Sequence, residues 1–251
     1  MVRLLKIGTL CAAFSVAATV SFGFDMGEMT TGERQAFRGE IREYLLENPE
    51  IIMEAIGVLE AREAAQQADA DKRLLSQLHD EIFEDGRSWV GGNPEGDITL
   101  VEFMDYRCSY CRRAFHEVEQ LLADDTNIRF VLKEFPILGE QSVLAARFAI
   151  ATRNVAGDDA YKAVHDALIV QRANVTPESL SRLADDLSLD GAQIMAAMDA
   201  PEIVEELRAN RELAQQLQIN GTPSFIIEDE MLRGYLPAAQ MQDLIADIRA
   251  R

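Results

Sequence analysis

Cysteine is scarce in this chain, and the scarcity narrows the chemistry that the protein can perform. Three cysteines occur among 251 residues. Cys11 lies in an N-terminal apolar segment that we expect to be removed, which leaves Cys108 and Cys111 in one C-x-x-C motif. A structural zinc site needs a second pair of ligands, and a disulfide across so short a loop restrains little of the unfolded chain. The pair is therefore expected to perform redox chemistry, although the same thiols could also bind copper(I), a soft ion.

Basic residues are also few. The chain has 24 Lys and Arg against 43 Asp and Glu, a formal net charge of −19. This acidic balance argues against nucleic acid and anionic membrane surfaces as partners. Beyond the N-terminus no long apolar run could cross a bilayer. The hydrophobic share of 48% is enough for one medium-sized domain with an appendage.

The N-terminal residues 1–23 have the pattern of a secretory signal peptide. Arg3 and Lys6 precede an apolar run over 7–20, and small residues follow it. The alternative is an uncleaved membrane anchor. A cleaved signal would deliver the protein to the periplasm, where a disulfide-exchange protein can act.

Residues 24–72 are expected to form a helical arm with a polar linker. The pattern predicts a helix over 30–47, a break at Asn48, and a second helix beginning with Pro49. The apolar residues of these helices are Phe37, Ile41, Tyr44, Leu45, Ile51, Ile52, Met53, Ile56, Val58 and Leu59. So small a segment cannot bury this surface by itself, so we expect it to pack against the arms of other protomers. In the alternative, both helices fold back onto the main domain. The polar stretch 60–72 is either a solvated helix or a hinge.

The C-x-x-C motif lies where a strand is expected to end and a helix to begin. Residues 98–104 are apolar and strand-like, and a helical apolar pattern follows the motif. Cys108 is therefore predicted at a helix N-terminus, where free N–H groups and the helix dipole favour a thiolate. Cys111, one turn further on, is predicted to be more buried and to act as the resolving thiol. Nearby positive charge is expected from Arg107, Arg112 and Arg113, whereas His116 is expected on a solvated helix face.

The remaining sequence predicts two halves of a sheet separated by helices. Residues 86–96 form a connection with a short edge strand at Trp89 and Val90, and 128–135 form a strand that completes a βαβ unit. Two further strands are expected after Thr222-Pro223, followed by a last helix from Pro237. The helices between the two halves are predicted at about 140–153, 158–171, 177–187, 191–198 and 201–217.

This arrangement resembles the DsbA-like thiol–disulfide oxidoreductases. The resemblance covers roughly residues 87–251 and implies an α/β thioredoxin fold with a helical insertion at about 140–218, within a catalytic domain of 73–251. It also implies that Cys108 is the nucleophile and Cys111 the resolving cysteine. Pro223 would be the cis-proline facing the disulfide, and the Thr222 backbone would pair with a substrate peptide.

The resemblance further implies a buried acid beneath the resolving cysteine. Glu102, six residues before Cys108, matches that position, and Lys133 on the next strand is expected to be its partner. Together they would take the proton from Cys111. The alternative is a structural ion pair. Ser109 and Tyr110 separate the cysteines where the strongest oxidants have Pro-His, so a less oxidising protein is expected.

The arm resembles that of the suppressor-of-copper-sensitivity C proteins, some of which oligomerise through it and isomerise disulfides. This implies a homo-oligomer, a trimer rather than a dimer. The predicted function is that of a periplasmic thiol–disulfide isomerase or reductase acting on exported proteins and served by a membrane redox partner. The alternatives are a disulfide-forming oxidase and a copper(I)-binding protein. No cofactor beyond the redox-active cysteines, and no dedicated metal site, is expected.

Overall fold

The structure, a computed structural model, describes Gly27 and residues 29–251. The expected signal peptide and Cys11 lie outside the described residues. The chain divides into two compact units, one ending at Glu60 and the other comprising Ala61–Arg251. The compact unit that holds the cysteine motif begins at Ala61, whereas the sequence predicts that the catalytic domain begins at residue 73.

The N-terminal unit is helical, as predicted. Helix α1 (Thr31–Glu47) begins with a capping box in which Thr30 and Glu33 satisfy each other's backbone N–H groups, and Asn48 ends it. Helix α2 (Glu50–Gln77) follows. Helix α1 contains no buried residue. The apolar side chains Phe37, Ile41, Tyr44, Leu46, Ile52, Met53, Ile56, Val58 and Leu59 are 39–68% exposed.

The polar stretch 60–72 is helical, which decides between the two possibilities that the sequence left open. Its end belongs to the second unit and is held there by ion pairs. The Asp71 carboxylate, 5% exposed, accepts hydrogen bonds of 2.7 and 2.9 Å from the Arg233 guanidinium. Lys72 Nζ lies 3.0 Å from Asp229 Oδ2. The last residues of the expected linker are therefore fixed to the catalytic unit.

The second unit is built on one five-stranded mixed sheet. Its strands are β1 (Trp89–Gly92), β2 (Ile98–Met104), β3 (Ile128–Glu134), β4 (Ser224–Ile227) and β5 (Glu230–Arg233). The spatial order is β1-β3-β2-β4-β5, with β2 and β3 parallel and the other pairs antiparallel. Strand β1 lies at an edge, as predicted. Strands β2 and β3 are buried along almost their whole length, as expected of strands covered on both faces.

Helices cover both faces of this sheet. Within Ala61–Arg251 they are α3 (His79–Phe83), α4 (Ser109–Asp124), α5 (Glu140–Ala156), α6 (Asp158–Val170), α7 (Pro177–Asp186), α8 (Gly191–Ala197), α9 (Pro201–Gln216) and α10 (Ala238–Arg249), together with the end of α2. The five helices α5–α9 lie in sequence between β3 and β4. The predicted fold class, an α/β sheet with a helical insertion and a preceding helical arm, is confirmed.

Two apolar cores result from the alternation of side chains along the strands. Leu100 and Met104 of β2 belong to the larger core, which contains both cysteines. Val101 and Phe103 belong to the smaller core on the opposite face, with Leu75 from the end of α2. Because neighbouring positions on β2 face different cores, the register of this strand decides which side chains can reach the cysteines.

Candidate active site

The loop between β2 and α4 brings Cys108 to the N-terminus of α4. The Asp105 carboxylate organises this loop: Oδ1 accepts a 2.7 Å hydrogen bond from the Arg107 N–H. Its Oδ2 accepts hydrogen bonds of 2.8 and 3.0 Å from the N–H groups of Ile137 and Leu138. Cys108 is the N-cap residue of α4, and its Sγ accepts a hydrogen bond from the Cys111 N–H at 3.4 Å. A sulfur in this position takes the place of the oxygen acceptor that usually caps a helix.

The two cysteines are free thiols in unlike environments. Cys108 is 7% exposed and Cys111 1%, so Cys111 is the more buried of the two, as predicted. Hydrogen bonding from the Cys111 side chain, supported by the Thr222 side chain and by the Cys111 and Tyr110 N–H groups, lowers the pKa of Cys108 to about 5 against the effect of burial. Burial raises the pKa of Cys111 far above its ordinary value. Near neutral pH Cys108 is thus a thiolate and Cys111 a thiol.

The loop before strand β4 places the predicted cis-proline next to Cys108. The Thr222–Pro223 peptide bond is cis, and the Cys108 thiol contacts the Thr222 carbonyl oxygen at 3.2 Å. The Gly234 N–H, which follows β5, donates a 3.0 Å hydrogen bond to the Pro223 carbonyl and so fixes the position of this loop. The structure therefore brings Cys108, Cys111, Thr222 and Pro223 together.

Glu102 lies in the same core as the cysteines, but without the predicted lysine partner. Glu102 is opposite Leu132 in the β2–β3 register, and Lys133 is opposite Phe103. Lys133 therefore projects from the other face of the sheet, where its Nζ binds Asp85 Oδ2 at 2.7 Å and Ser88 Oγ at 3.2 Å. The predicted Glu102–Lys133 pair is wrong because adjacent strand positions face opposite sides.

The environment of Glu102 favours its protonated form. Its side chain is 4% exposed. Burial, and next the negative charge of Cys108, raise its pKa to about 8. Glu102 in turn contributes to the raised pKa of Cys111. A carboxyl group with this pKa can accept and release a proton near neutral pH.

The arginines of the motif contribute differently from the prediction. Arg107 Nη1 donates a 2.9 Å hydrogen bond to the Ala173 carbonyl. Arg112 donates from Nε to the Ile169 carbonyl at 3.1 Å and from Nη2 to the Gln171 carbonyl at 3.3 Å. Two of the three guanidinium groups therefore join the loop before α4 and its first turn to the end of α6 and the residues that follow it. Arg113 lies over the Tyr110 ring, 5.4 Å from its centroid.

The structure contains a buried polar network beside the cysteine loop that the sequence analysis did not predict. The hydroxyl groups of Tyr106 and Tyr161 both donate to Glu134 Oε1, at 2.7 and 2.8 Å. His165 Nδ1 lies 3.2 Å from the Tyr106 hydroxyl. Burial raises the pKa of Glu134 to about 8 and lowers that of His165 to about 3. The sequence could have hinted at this network only through Tyr106, two residues before Cys108.

No group of three or more His, Cys, Asp or Glu side chains within the described ranges could hold a metal ion. His116 is exposed, as predicted. Among the helices that the structure describes, none is both long enough and apolar enough to cross a membrane.

Comparison with known proteins identifies two family models along the chain. The model of the DSBA-like thioredoxin domain matches residues 99–246, and the model of the copper resistance protein ScsC N-terminal domain matches residues 33–66. The first match contains both cysteines and the cis-proline. The second contains all nine of the exposed apolar residues named above for the N-terminal unit, which is consistent with association of the protein through that unit.

Solved structures support the same assignment. A thioredoxin-like oxidoreductase from Silicibacter pomeroyi is 42% identical, with a TM-score of 0.65 over 68% of this chain and 98% of that one. Proteus mirabilis ScsC in a compact conformation is 25% identical, with a TM-score of 0.65 over 86% of this chain and 98% of that one. These matches show that the second unit has the thioredoxin fold.

Curated relatives match only in part. The Na(+)/H(+) antiporter NhaA 3 of Salinispora tropica is 28% identical over 148 residues, which are 59% of this chain and 22% of the antiporter. The chain thus spans less than a quarter of the length of the first curated relatives that it matches.

Proposed function

We propose that the protein is a thiol–disulfide oxidoreductase that uses Cys108 as nucleophile and Cys111 as resolving thiol. The chain belongs to the family of DSBA-like thioredoxin domains, whose model matches residues 99–246. The observation that carries this proposal is the contrast between the two sulfurs. Cys108 caps α4 and has a pKa of about 5, whereas the buried Cys111 remains protonated. Only the first is a nucleophile at neutral pH, so the order of attack follows from the geometry.

In the first step, the Cys108 thiolate attacks one sulfur of a substrate disulfide. A Cys108–substrate disulfide forms, the substrate S–S bond breaks, and the other substrate sulfur leaves as a thiolate. The Thr222 carbonyl, which the Cys108 thiol contacts and which is free once that thiol has ionised, is available to an N–H of the bound segment. Backbone pairing of this kind holds an extended peptide with little regard to its sequence.

In the second step, Cys111 attacks Cys108 and releases the substrate. Cys111 must lose its proton, and Glu102 is the buried base that can take it. The Cys108–Cys111 disulfide forms, the Cys108–substrate bond breaks, and the substrate leaves as a thiolate. Two electrons pass from the protein to the substrate. Loss of the Cys108 charge makes Glu102 more acidic, so carboxylate is available when Cys111 reacts.

We propose isomerase or reductase activity on exported proteins in the periplasm, with a membrane redox partner that renews the thiols.

The exposed apolar residues of α1 and of the first turns of α2 support homo-oligomerisation, and the ScsC resemblance favours a trimer. Burying one such side chain contributes about 1.5–3 kcal/mol, and the nine exposed ones together would offset the cost of association. Several catalytic units in one oligomer would give a bound substrate a second site at high effective concentration.

The direct test is catalysed reduction of insulin by dithiothreitol, followed by turbidity. The full-length protein should shorten the lag, and Cys108→Ser should not differ from buffer. Equal acceleration by the wild type and by Cys108→Ser would remove the basis of the proposal.

A further inference from the structure

A small cavity connects the buried acid with a partly exposed ion pair. It lies between the sheet and helices α4 and α6, and its volume of about 10 Å³ is close to the minimum that holds one water molecule. The polar residues that line it are Glu102, Cys111, Trp89, His165, Glu119 and Lys162.

One of the polar side chains that line the cavity has a buried nitrogen without a protein partner. Trp89 Nε1 is buried and donates to no protein group. His165 Nδ1 must donate to the Tyr106 oxygen, because Tyr106 gives its only proton to Glu134. His165 Nε2 is then an unprotonated acceptor. A donor and an acceptor beside the Glu102 carboxyl suit one bridging water.

The outer side is formed by Glu119 of α4 and Lys162 of α6, which we call the outlet pair. Their charged atoms lie 3.3 Å apart, and the side chains are 41% and 31% exposed. Lys162 also binds Asp166 at 2.6 Å, and Asp166 does not line the cavity. The outlet pair is thus in contact both with solvent and with the space beside Glu102.

The other polar groups near Glu102 are committed elsewhere. Lys133 lies on the opposite face of the sheet, bound to Asp85. Glu134 accepts from two tyrosines. The titratable groups that face Glu102 are Cys108, Cys111 and Glu119 from the α4 region and Lys162 and His165 from α6, whereas the β1 and β3 residues that line the cavity, Trp89 and Phe130, do not titrate.

We propose that the cavity is the route by which Glu102 exchanges its proton with solvent, and that Glu119 of the outlet pair is the group that passes it on. This inference rests on the proposed thiol–disulfide exchange. In each reductive turnover the proton that Glu102 carries in the reduced protein must leave once Cys108 is in the mixed disulfide, before the Glu102 carboxylate can take the proton of the Cys111 thiol. The departing proton passes through the cavity to the Glu119 carboxylate and then to water, with no change in electron count.

His165 holds the inner end of the route without carrying charge. Burial, and next the positive charge of Lys162, keep its pKa well below neutrality. The ring therefore stays neutral near neutral pH, and its contact with Tyr106 fixes it. His165, Lys162 and Glu119 act through Glu102 and are positioning residues.

The test is a single-turnover reaction of the reduced full-length protein with an excess of dithiobis(nitrobenzoate). Each half of this aromatic disulfide leaves as a coloured thiolate, so its release is followed by absorbance. The first thiolate reports attack by Cys108, and the second reports resolution by Cys111.

Below pH 8 Glu102 is protonated in the reduced protein, so its proton must leave before it can accept one from Cys111. Glu119→Gln should slow the second phase about tenfold near pH 6.5 and raise its solvent isotope effect above about 2. At about pH 9.5, where Glu102 is already ionised, the variant should match the wild type.

Two further variants separate proton transfer from structure. Asp166→Asn removes an ion pair of Lys162 but not a cavity residue, and it should leave the second phase unchanged. Glu119→Asp should restore most of the rate. The inference is overturned by a second phase that does not respond to Glu119→Gln, by equal slowing at all pH values without an isotope effect, or by the same slowing in Asp166→Asn. Absence of the first phase in the wild type would instead refute the proposed function itself.

Discussion

The Cys108 thiol and the Thr222 carbonyl oxygen are 3.2 Å apart, across the loop that carries the cis bond to Pro223. The nucleophile and the backbone group available to a substrate thus lie at one point. When Cys108 ionises it no longer donates to this carbonyl, so the thiolate and a free acceptor are produced together. A substrate segment can then meet both at once.

The difference in pKa and burial between Cys108 and Cys111 predicts that an alkylating reagent will react selectively with Cys108. Iodoacetamide should label Cys108 in the reduced protein with a rate that is half-maximal near pH 5, because the hydrogen bonds that cap α4 stabilise its thiolate. Cys111 should remain unlabelled at neutral pH because burial raises its pKa. Mass spectrometry of peptides across pH 4–9 measures both. Equal labelling, or a midpoint near that of a free thiol, would contradict the assignment.

Glu102→Gln should slow the resolution step about 100-fold at neutral pH, because Cys111 loses its proton acceptor. In the wild type this step should accelerate as pH rises through the pKa of Glu102, which the loss of the Cys108 charge moves below its value of about 8 in the reduced protein, and the variant should lose that inflection. The initial attack by Cys108 should be nearly unchanged. An unaltered pH profile in the variant would show that another group accepts the proton.

The double variant Lys133→Met with Asp85→Asn is the matched control. It removes a buried ion pair on the face of the sheet opposite to Cys108 and Cys111. Removing both partners avoids leaving one uncompensated charge. We expect its resolution step to keep the wild-type pH profile. Loss of the inflection in this variant would support the lysine relay that the sequence had suggested.

Glu102 should also affect stability as a function of pH. Its pKa is about 8 in the folded protein and near 4.5 in an unfolded chain, so folding favours the protonated carboxyl. That contribution is complete below about pH 4.5 and is lost as pH rises through 8. Glu102→Gln should therefore stabilise the reduced protein at pH 9 relative to the wild type, by on the order of 2–5 kcal/mol. Urea unfolding at pH 5 and 9 measures this, and an equal effect at both values would contradict it.

Removing residues 24–60 should give a monomer that still reduces disulfides but loses most of its ability to reactivate scrambled ribonuclease. The physical reason is that the exposed apolar side chains of this unit are the proposed association surface. Light scattering and ribonuclease activity measure the two effects. A full-length protein that is already monomeric, or a truncated one that isomerises equally well, would contradict the role of the arm.

The structure also fixes where the truncation must end. Extending the deletion to residue 72 removes Asp71, whose carboxylate holds Arg233 in β5 by two hydrogen bonds. This longer deletion should lower the melting temperature of the catalytic unit, whereas the deletion of 24–60 should not. Equal melting temperatures would show that the ion pair contributes little.

The sequence predicted much of the fold because the decisive signals are local. The strand before Cys108, the helix after it and the helix start at Pro201 all follow from apolar period and capping residues. The contacts of Lys133 and Arg112 could not be predicted in this way. Lys133 meets Asp85, and Arg112 meets the Ile169 carbonyl, through strand register and the packing of a distant helix. Both depend on tertiary structure that charge and spacing do not encode.

The measurement that tests the central claim most directly is the mass of the covalent complex that each reduced cysteine variant forms with a substrate that contains scrambled disulfides. Cys111→Ser should accumulate a mixed disulfide through Cys108, because the bond forms but cannot be resolved. Cys108→Ser should accumulate none, because Cys111 is buried and protonated. Equal trapping by the two variants, or trapping by Cys108→Ser alone, would contradict the assignment of nucleophile and resolving thiol.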